Sequence, residues 1–253
     1  MILEQFKLDG KIALVTGASR GLGRCIAMAL AEAGADVALT ASGSCAGTAA
    51  SIRGLGRRAL EINADLLQAD AVSRILDSLM KEWGGIDILV NNAGIIRRAA
   101  LLEFTERDWD DVIQVNQKSL FFLSQAVARQ MVAQGRGGKI INIASLLSYQ
   151  GGIRVPSYTA AKSAVLGLTR IMANEWAPHG INVNAIAPGY METDNTTALR
   201  QDAKRNADIL ARIPAGRWGR PEDLQGAVVF LASAASHYLH GAALAVDGGW
   251  LAR

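Results

Sequence analysis

Apolar and polar positions follow two rhythms along this chain, and the two take turns from one end to the other. Short β-branched or apolar runs of strand length are followed by longer stretches whose apolar residues recur at helical spacing. The strand candidates are Lys11–Thr16, Asp36–Thr40, Arg58–Asn63, Ile86–Asn91, Gly138–Ala144, Gly180–Ala187 and Ala242–Val246. Helices are expected between them at Leu22–Ala33, Cys45–Gly54, Ala69–Trp83, Glu106–Ala133, Ser157–Ala177, Ala198–Arg212 and Pro221–Ala232. Such alternation predicts an α/β fold: one doubly wound parallel sheet of about seven strands, with helices on both faces and right-handed crossovers. No linker, charge block or internal repeat interrupts it, so residues 1–253 are expected to form a single domain.

In sheets of this kind, ligands bind outside the carboxyl ends of the strands, where the strand order reverses. That rule singles out Thr16–Gly23, Thr40–Ser44, Asn91–Gly94, Ala144–Ser148 and Ala187–Thr193. Composition changes the picture mainly by exclusion. With 50% hydrophobic residues the chain can bury a sizeable core, and its net charge is only +3. Basic residues cluster locally, as at Arg57-Arg58 and Arg97-Arg98, without the coherent basic face of a nucleic-acid binder, so no nucleic-acid partner is expected. Cys25 and Cys45 show no ligand spacing and no disulfide framework, which predicts free thiols in a reducing compartment. His179, His237 and His240 are poorly spaced for a metal site, and no metal is expected. The first residues do not resemble a signal peptide, and no uncharged apolar run approaches the ~20 residues of a spanning helix. A soluble cytoplasmic protein without a membrane partner is the expectation.

The chemistry sits in two stretches. Thr16-Gly17-Ala18-Ser19-Arg20-Gly21-Leu22-Gly23 directly follows the first strand and opens the first helix. Glycines there let the backbone turn sharply and approach a pyrophosphate, while the helix N-terminus offers free N–H groups to it. The alternative is a tight strand–helix turn that merely needs glycine. The second stretch is Tyr158-Thr159-Ala160-Ala161-Lys162. Within a helix, positions i and i+4 share a face, so phenol and ammonium project together, and a nearby cation favours phenolate. This makes a group able to exchange a proton with an alcohol. Ser145 ends a predicted strand, placed to hydrogen-bond the reacting oxygen.

Thr16–Gly23, Asn91-Asn92-Ala93-Gly94, Asn116, Ser145, Tyr158–Lys162 and Pro188-Gly189 occur in an order that resembles the short-chain dehydrogenase/reductase family along essentially the whole chain. The resemblance implies a Rossmann-type fold and an NAD(P)-dependent oxidoreductase that moves a hydride to or from a carbonyl or alcohol. It implies Tyr158 as the proton-transferring acid/base, Ser145 as orienter of the substrate oxygen, and Lys162 as holder of the nicotinamide ribose. Asn116 would hold a water linking Lys162 to solvent. Gly17, Ser19, Arg20, Gly21, Leu22 and Gly23 would cradle the coenzyme. Asp65 and Leu66 would border its adenine, Asn92, Ala93 and Gly94 would line it, and Pro188, Gly189 and Thr193 would contact its nicotinamide end. Asn92 has the alternative role of tying strands together, and Asp65 that of a helix N-cap.

Leu89–Arg98, Gly138–Tyr158, Ile181–Tyr190 and Arg212–Gly219 are most similar to the family's sugar-acid dehydrogenases. Arg154, four residues before Tyr158, could pair with a substrate carboxylate, its alternative being a surface or interface arginine. Arg97 and Arg98 are second candidates for that pairing. The second strand ends Thr40-Ala41-Ser42 without the carboxylate that NAD-preferring members place there. With Arg20 in the glycine loop and Ser42 beside it, this favours a 2′-phosphate and NADP, whereas the resemblance implies NAD. A 3-oxoacyl thioester reductase shares the same core motifs and is the rival enzyme, and a cofactor sensor without turnover is the rival class. Closed assembly as a homotetramer is expected, with the helices over 106–133 and 157–177 supplying one interface.

Overall fold

The computed structural model describes residues 1–253. Its seven strands are β1 (Ile12–Thr16), β2 (Asp36–Ala41), β3 (Ala59–Asn63), β4 (Ile88–Asn91), β5 (Gly138–Ile143), β6 (Ile181–Pro188) and β7 (Ala243–Val246). All pair in parallel in the order β3-β2-β1-β4-β5-β6-β7. The order in which strands are added reverses between β1 and β4, and that gap opens the crevice in which the site lies. Each central strand is buried on both faces, which is why β6 carries an unbroken buried run and not an alternating one.

Helices α1 (Gly21–Glu32), α2 (Ala46–Gly54) and α9 (Gln225–Ala232) cover one face, and α3 (Ala71–Trp83), α5 (Ser119–Gln134) and α6 (Pro156–Trp176) cover the other. Leu14, Ile75, Leu89, Val127 and Ile140 belong to the core under α3, α5 and α6, while Val15, Ile26, Leu30, Val37 and Val228 belong to the opposite one. A small third cluster joins Leu146, Ile209, Ile213, Trp218 and Trp250 beside the crevice.

Two expected helices prove to be broken. The stretch Glu106–Ala133 divides into α4 (Glu106–Ile113) and α5 around a π turn at Gln114–Lys118. Widening that turn buries Asn116 and Ser119, and the Ser119 hydroxyl then donates to Gln114 O and Leu66 O. The stretch Ala198–Arg212 divides at Asp202 into α7 (Thr197–Gln201) and α8 (Ala203–Arg212). Asp202 has extended backbone, and its carboxylate accepts from Arg205 N at 3.0 Å, capping α8 anew. At Pro221–Leu224 the expected helix starts as a 3₁₀ turn before α9.

A buried polar chain crosses the sheet. Asn91 Nδ2 donates to Ser124 Oγ at 2.8 Å and to Asn142 Oδ1 at 2.9 Å, and Asn142 Nδ2 donates to Thr169 Oγ1 at 3.0 Å. It ties β4 and β5 to the helices above them. At the amino ends of the strands Lys139 is buried on β5, donating to Asn182 Oδ1 at 3.0 Å and Ser236 Oγ at 3.2 Å. Burial brings its pKa down to about 8. No helix is long and apolar enough to cross a membrane.

Candidate active site

The carboxyl ends of β1, β2, β4 and β5 open into a cleft of about 530 Å³. The glycine loop forms its floor, with Gly17, Ser19, Arg20, Gly21, Leu22 and Gly23 all on the wall. Gly17 lies at φ +66, and a Cβ on Gly23 would stand 2.1 Å from Gly17 O, so the turn tolerates no side chain at either place. The loop is tied to the β4 end by Thr16 and Asn92. Thr16 Oγ1 accepts from Asn92 N and Ala93 N at 3.0 and 2.9 Å, and Asn92 Nδ2 donates to Thr16 O at 2.8 Å. Asn92, Ala93 and Gly94 line the cleft as expected, and Asn92 has the tying role as well. The sequence placed Thr16 at the head of the glycine loop without a role of its own; its position as the last residue of β1 is the signal for this tying role.

At the other end of the floor, Ser42, Asp65 and Leu66 reach the wall beside Thr40. Asp65 accepts from Leu67 N at 3.0 Å in a turn, six residues ahead of the start of α3. The residues fit a dinucleotide. No side chain caps the N-terminus of α1, leaving its N–H groups open to a diphosphate. The Thr40 hydroxyl is buried without a hydrogen-bond partner, directly on the cleft wall. Groups of that kind ordinarily find a partner, and a bound ligand is one way to supply it.

Tyr158 and Lys162 meet at the inner end, on one face of α6. Lys162 is 4% exposed, and its ammonium donates to Ile143 O at 2.6 Å, 5.7 Å from the centre of the Tyr158 ring. Burial lowers its pKa to about 8. Burial pushes the Tyr158 phenol up, while the Ser145 hydroxyl and the Arg98 charge pull it partly back. The depression of Tyr158 expected from Lys162 is not what the site shows: desolvation raises the phenol, and the opposing influences come from Ser145 and Arg98.

Ser145 lies just behind the wall, at the end of β5. Its hydroxyl accepts from Leu147 N at 3.1 Å, capping the 3₁₀ turn Leu146–Ser148. Ser148 is a further residue the sequence did not reveal. Its hydroxyl accepts from Ser145 N at 3.3 Å and donates to Lys162 O at 2.5 Å, pinning the β5 end to α6. The Ser-x-x-Ser capping pattern was its only trace. Asn116, in the π turn, clamps the Ile95 peptide in both directions, accepting at 2.8 Å and donating at 3.0 Å, and stands behind Gly94.

Besides Ser145 and Asn116, three more expected residues are not on this wall. Pro188 closes β6 against Val246, and Gly189 packs on Asp247 at a second cavity, so of that segment only Thr193 reaches the cleft. Arg154 is exposed at φ +63, the one non-glycine residue with positive φ, and contributes its carbonyl to Ala99 N at 3.2 Å. Its backbone, not its guanidinium, serves the loop. The cation brought near Tyr158 is Arg98 instead. Arg97 is on the wall but is engaged by Asp108 and Asp111 at 3.4 and 3.2 Å.

Comparison with known proteins agrees with this geometry. Residues 17–251 match the family model described as enoyl-(acyl carrier protein) reductase. The chain is 60% identical, over all 253 residues and the whole of both chains, to the 2-dehydro-3-deoxy-D-gluconate 5-dehydrogenase of Escherichia coli K12. Among solved structures, one from Agrobacterium tumefaciens, assigned as a 2-deoxy-D-gluconate 3-dehydrogenase and holding NADP, is 59% identical with a TM-score of 0.94, covering 98% of this chain and 99% of that one. A gluconate 5-dehydrogenase of Burkholderia cenocepacia, in complex with NADP and tartrate, is 43% identical with a TM-score of 0.95 over the whole of both chains.

Proposed function

The chain belongs to the short-chain dehydrogenase/reductase family of NAD(P)-dependent enzymes, and from that premise we propose that it oxidises or reduces a carbon of a sugar acid such as 2-dehydro-3-deoxy-D-gluconate or 2-deoxy-D-gluconate. The observation that carries the substrate class is the Arg98 guanidinium, which has no carboxylate partner, donates to Asn195 O beside the cleft and acts by its charge on the Tyr158 phenol. A carboxylate held there would leave a nearby sugar carbon facing the phenol.

A nicotinamide coenzyme, when bound in the cleft, would be the source or acceptor of the hydride. In reduction, Tyr158 gives its phenolic proton to the carbonyl oxygen, which the Ser145 hydroxyl orients; in oxidation, the same atoms return it. A phenol raised by burial is held protonated in the resting site, ready to donate. Lys162 holds the nicotinamide ribose and, with a pKa near 8, can lend and recover a proton around neutral pH. Asn116 fixes the water through which Lys162 reaches solvent. Arg20, Ser42 and the open start of α1 hold the phosphates, which supports NADP at least as well as NAD.

A 3-oxoacyl thioester reductase is the runner-up, in keeping with the description of the family model. The Arg98 charge acting on Tyr158 suits a compact anion better than an acyl chain. We further infer that residues 1–253 act as one domain, in the cytoplasm, as a homotetramer that buries the exposed Trp109, Phe122 and Ile171 of α4, α5 and α6. A panel of uronate-derived keto acids, neutral diketones and 3-oxoacyl thioesters, assayed with NADH and NADPH, tests the substrate class. Keto acids should give the highest kcat/KM, and a thioester in first place would overturn the assignment.

A further inference from the structure

After β6 the chain crosses the open side of the cleft in short turns, from Thr193–Thr196 into α7 and α8. Two arginines from opposite walls grip this crossing. Arg20, at the start of α1, places Nε 3.4 Å from the Asp194 carboxylate, and Arg98 donates to Asn195 O at 3.2 Å. Asp194 is the sole ionic partner of Arg20, and both line the cleft. No other cation on the wall is free to meet a phosphate at the glycine loop, because Arg97 is engaged by two aspartates and Lys162 lies at the inner end.

We propose that Asp194 is a coenzyme-discriminating residue: its carboxylate occupies the Arg20 guanidinium, so a 2′-phosphorylated dinucleotide must displace it and an unphosphorylated one need not. This rests on the coenzyme half of the proposed function and not on the sugar acid. The pair runs through Nε, and a 2′-phosphate that approaches the same guanidinium competes with the Asp194 carboxylate for its charge and for that edge. The β2 end adds hydroxyls at Thr40 and Ser42 but no second full charge, so the outcome depends on who holds Arg20. Both partners of the existing pair are about three-quarters exposed, 76% and 75%, so the carboxylate is a weak competitor that trims an NADP advantage without abolishing it. The phosphate that takes Arg20 also releases one of the two grips on the crossing segment, linking coenzyme occupancy to its freedom.

Titration calorimetry with NADP and NAD, without any sugar acid present, tests this on the wild type, Asp194→Asn, Arg20→Leu and the double variant. Asp194→Asn should tighten NADP by about two- to fivefold, the range of an exposed ion pair, and leave NAD unchanged. In the Arg20→Leu background the same substitution should have no effect on NADP. Unchanged or weaker NADP binding in Asp194→Asn overturns the proposal. So does a tightening that persists without Arg20, which would be repulsion through space and not competition. Arg20→Leu with undiminished NADP affinity would remove Arg20 from the coenzyme site and the proposal with it. Failure of every sugar acid in activity assays would leave these binding results standing.

Discussion

Two buried lysines mark opposite ends of the sheet, and the physics treats them almost alike. Lys162 lies at the carboxyl ends of the strands and Lys139 at the amino ends, 4% and 7% exposed, and burial holds each at about 8. Neither has a carboxylate partner. What separates them is the remainder of the ammonium's hydrogen-bonding sphere. Lys139 is enclosed by Asn182 and Ser236 and does not line the cleft. Lys162 spends one donor on Ile143 O and keeps a face toward the cleft and Tyr158. A displaced pKa therefore reports burial, and only the neighbours decide whether it becomes chemistry.

The comparison breaks most visibly in turnover. Tyr158→Phe keeps the ring and removes the proton, and kcat should fall at least ~10²-fold, in the range of general acid–base catalysis, while calorimetry still finds coenzyme binding. Lys162→Met should follow it in direction, whereas Lys139→Met, at the amino ends of the strands and off the cleft wall, should stay within about twofold of wild-type kcat. Equal losses from both lysines would mean that the two ends are not distinct in function.

The carboxyl end should also discriminate by charge. Arg98→Leu should raise KM for keto-sugar acids roughly ten- to a hundredfold, the worth of one charge-assisted hydrogen bond, and affect neutral diketones much less. Arg154→Leu should leave both within about twofold, since only its backbone is engaged. A reversed ranking of the two arginines would restore Arg154 to the substrate.

At the amino end the effect should be thermodynamic. The folded-state pKa of Lys139, about 8, lies below its ordinary 10.5, so the unfolded chain binds more protons between those values. The desolvation penalty is in full force below pH 8 and is relieved as pH climbs toward 10.5. Denaturant unfolding should show wild type gaining on Lys139→Met by on the order of 2 kcal/mol between pH 7 and 10. A flat difference would place the Lys139 ammonium in water. The smallest effect concerns the coenzyme: Ala41→Asp should lower the NADP to NAD ratio of kcat/KM by several-fold, about the effect of one unfavourable charge near the phosphate.

How far these ends could be read from residues alone differs for physical reasons. Strands β1 to β7 fall within about two residues of expectation, because an apolar run bounded by glycine or polar residues is a local signal. The glycine loop is equally local, and Gly17 and Ser19 through Gly23 reach the cleft. The break at Gln114–Lys118 was not legible, since a π turn adds a residue without glycine or proline to punctuate the helix. The break at Asp202 did leave a trace, a capping aspartate three residues before Arg205, overridden by the helical pattern around it. Arg154 looked well placed because it precedes Tyr158 closely in sequence. Arg98, sixty residues before Tyr158, arrives only through tertiary packing, which no spacing rule conveys.

The chain of Asn91, Ser124, Asn142 and Thr169 carries a consequence on another timescale, that of sequence drift. Each member is fully or nearly fully buried, and each is answerable for a neighbour's hydrogen bond. An apolar replacement at one position strands a partner in the interior, whereas replacing both partners by matched apolar groups can be close to neutral. Single steps away from this arrangement thus run through a destabilised intermediate. Homologous sequences should retain all four residues or exchange them in concert, and the pairs Asn91–Ser124 and Asn142–Thr169 should vary together more tightly than their burial alone would require.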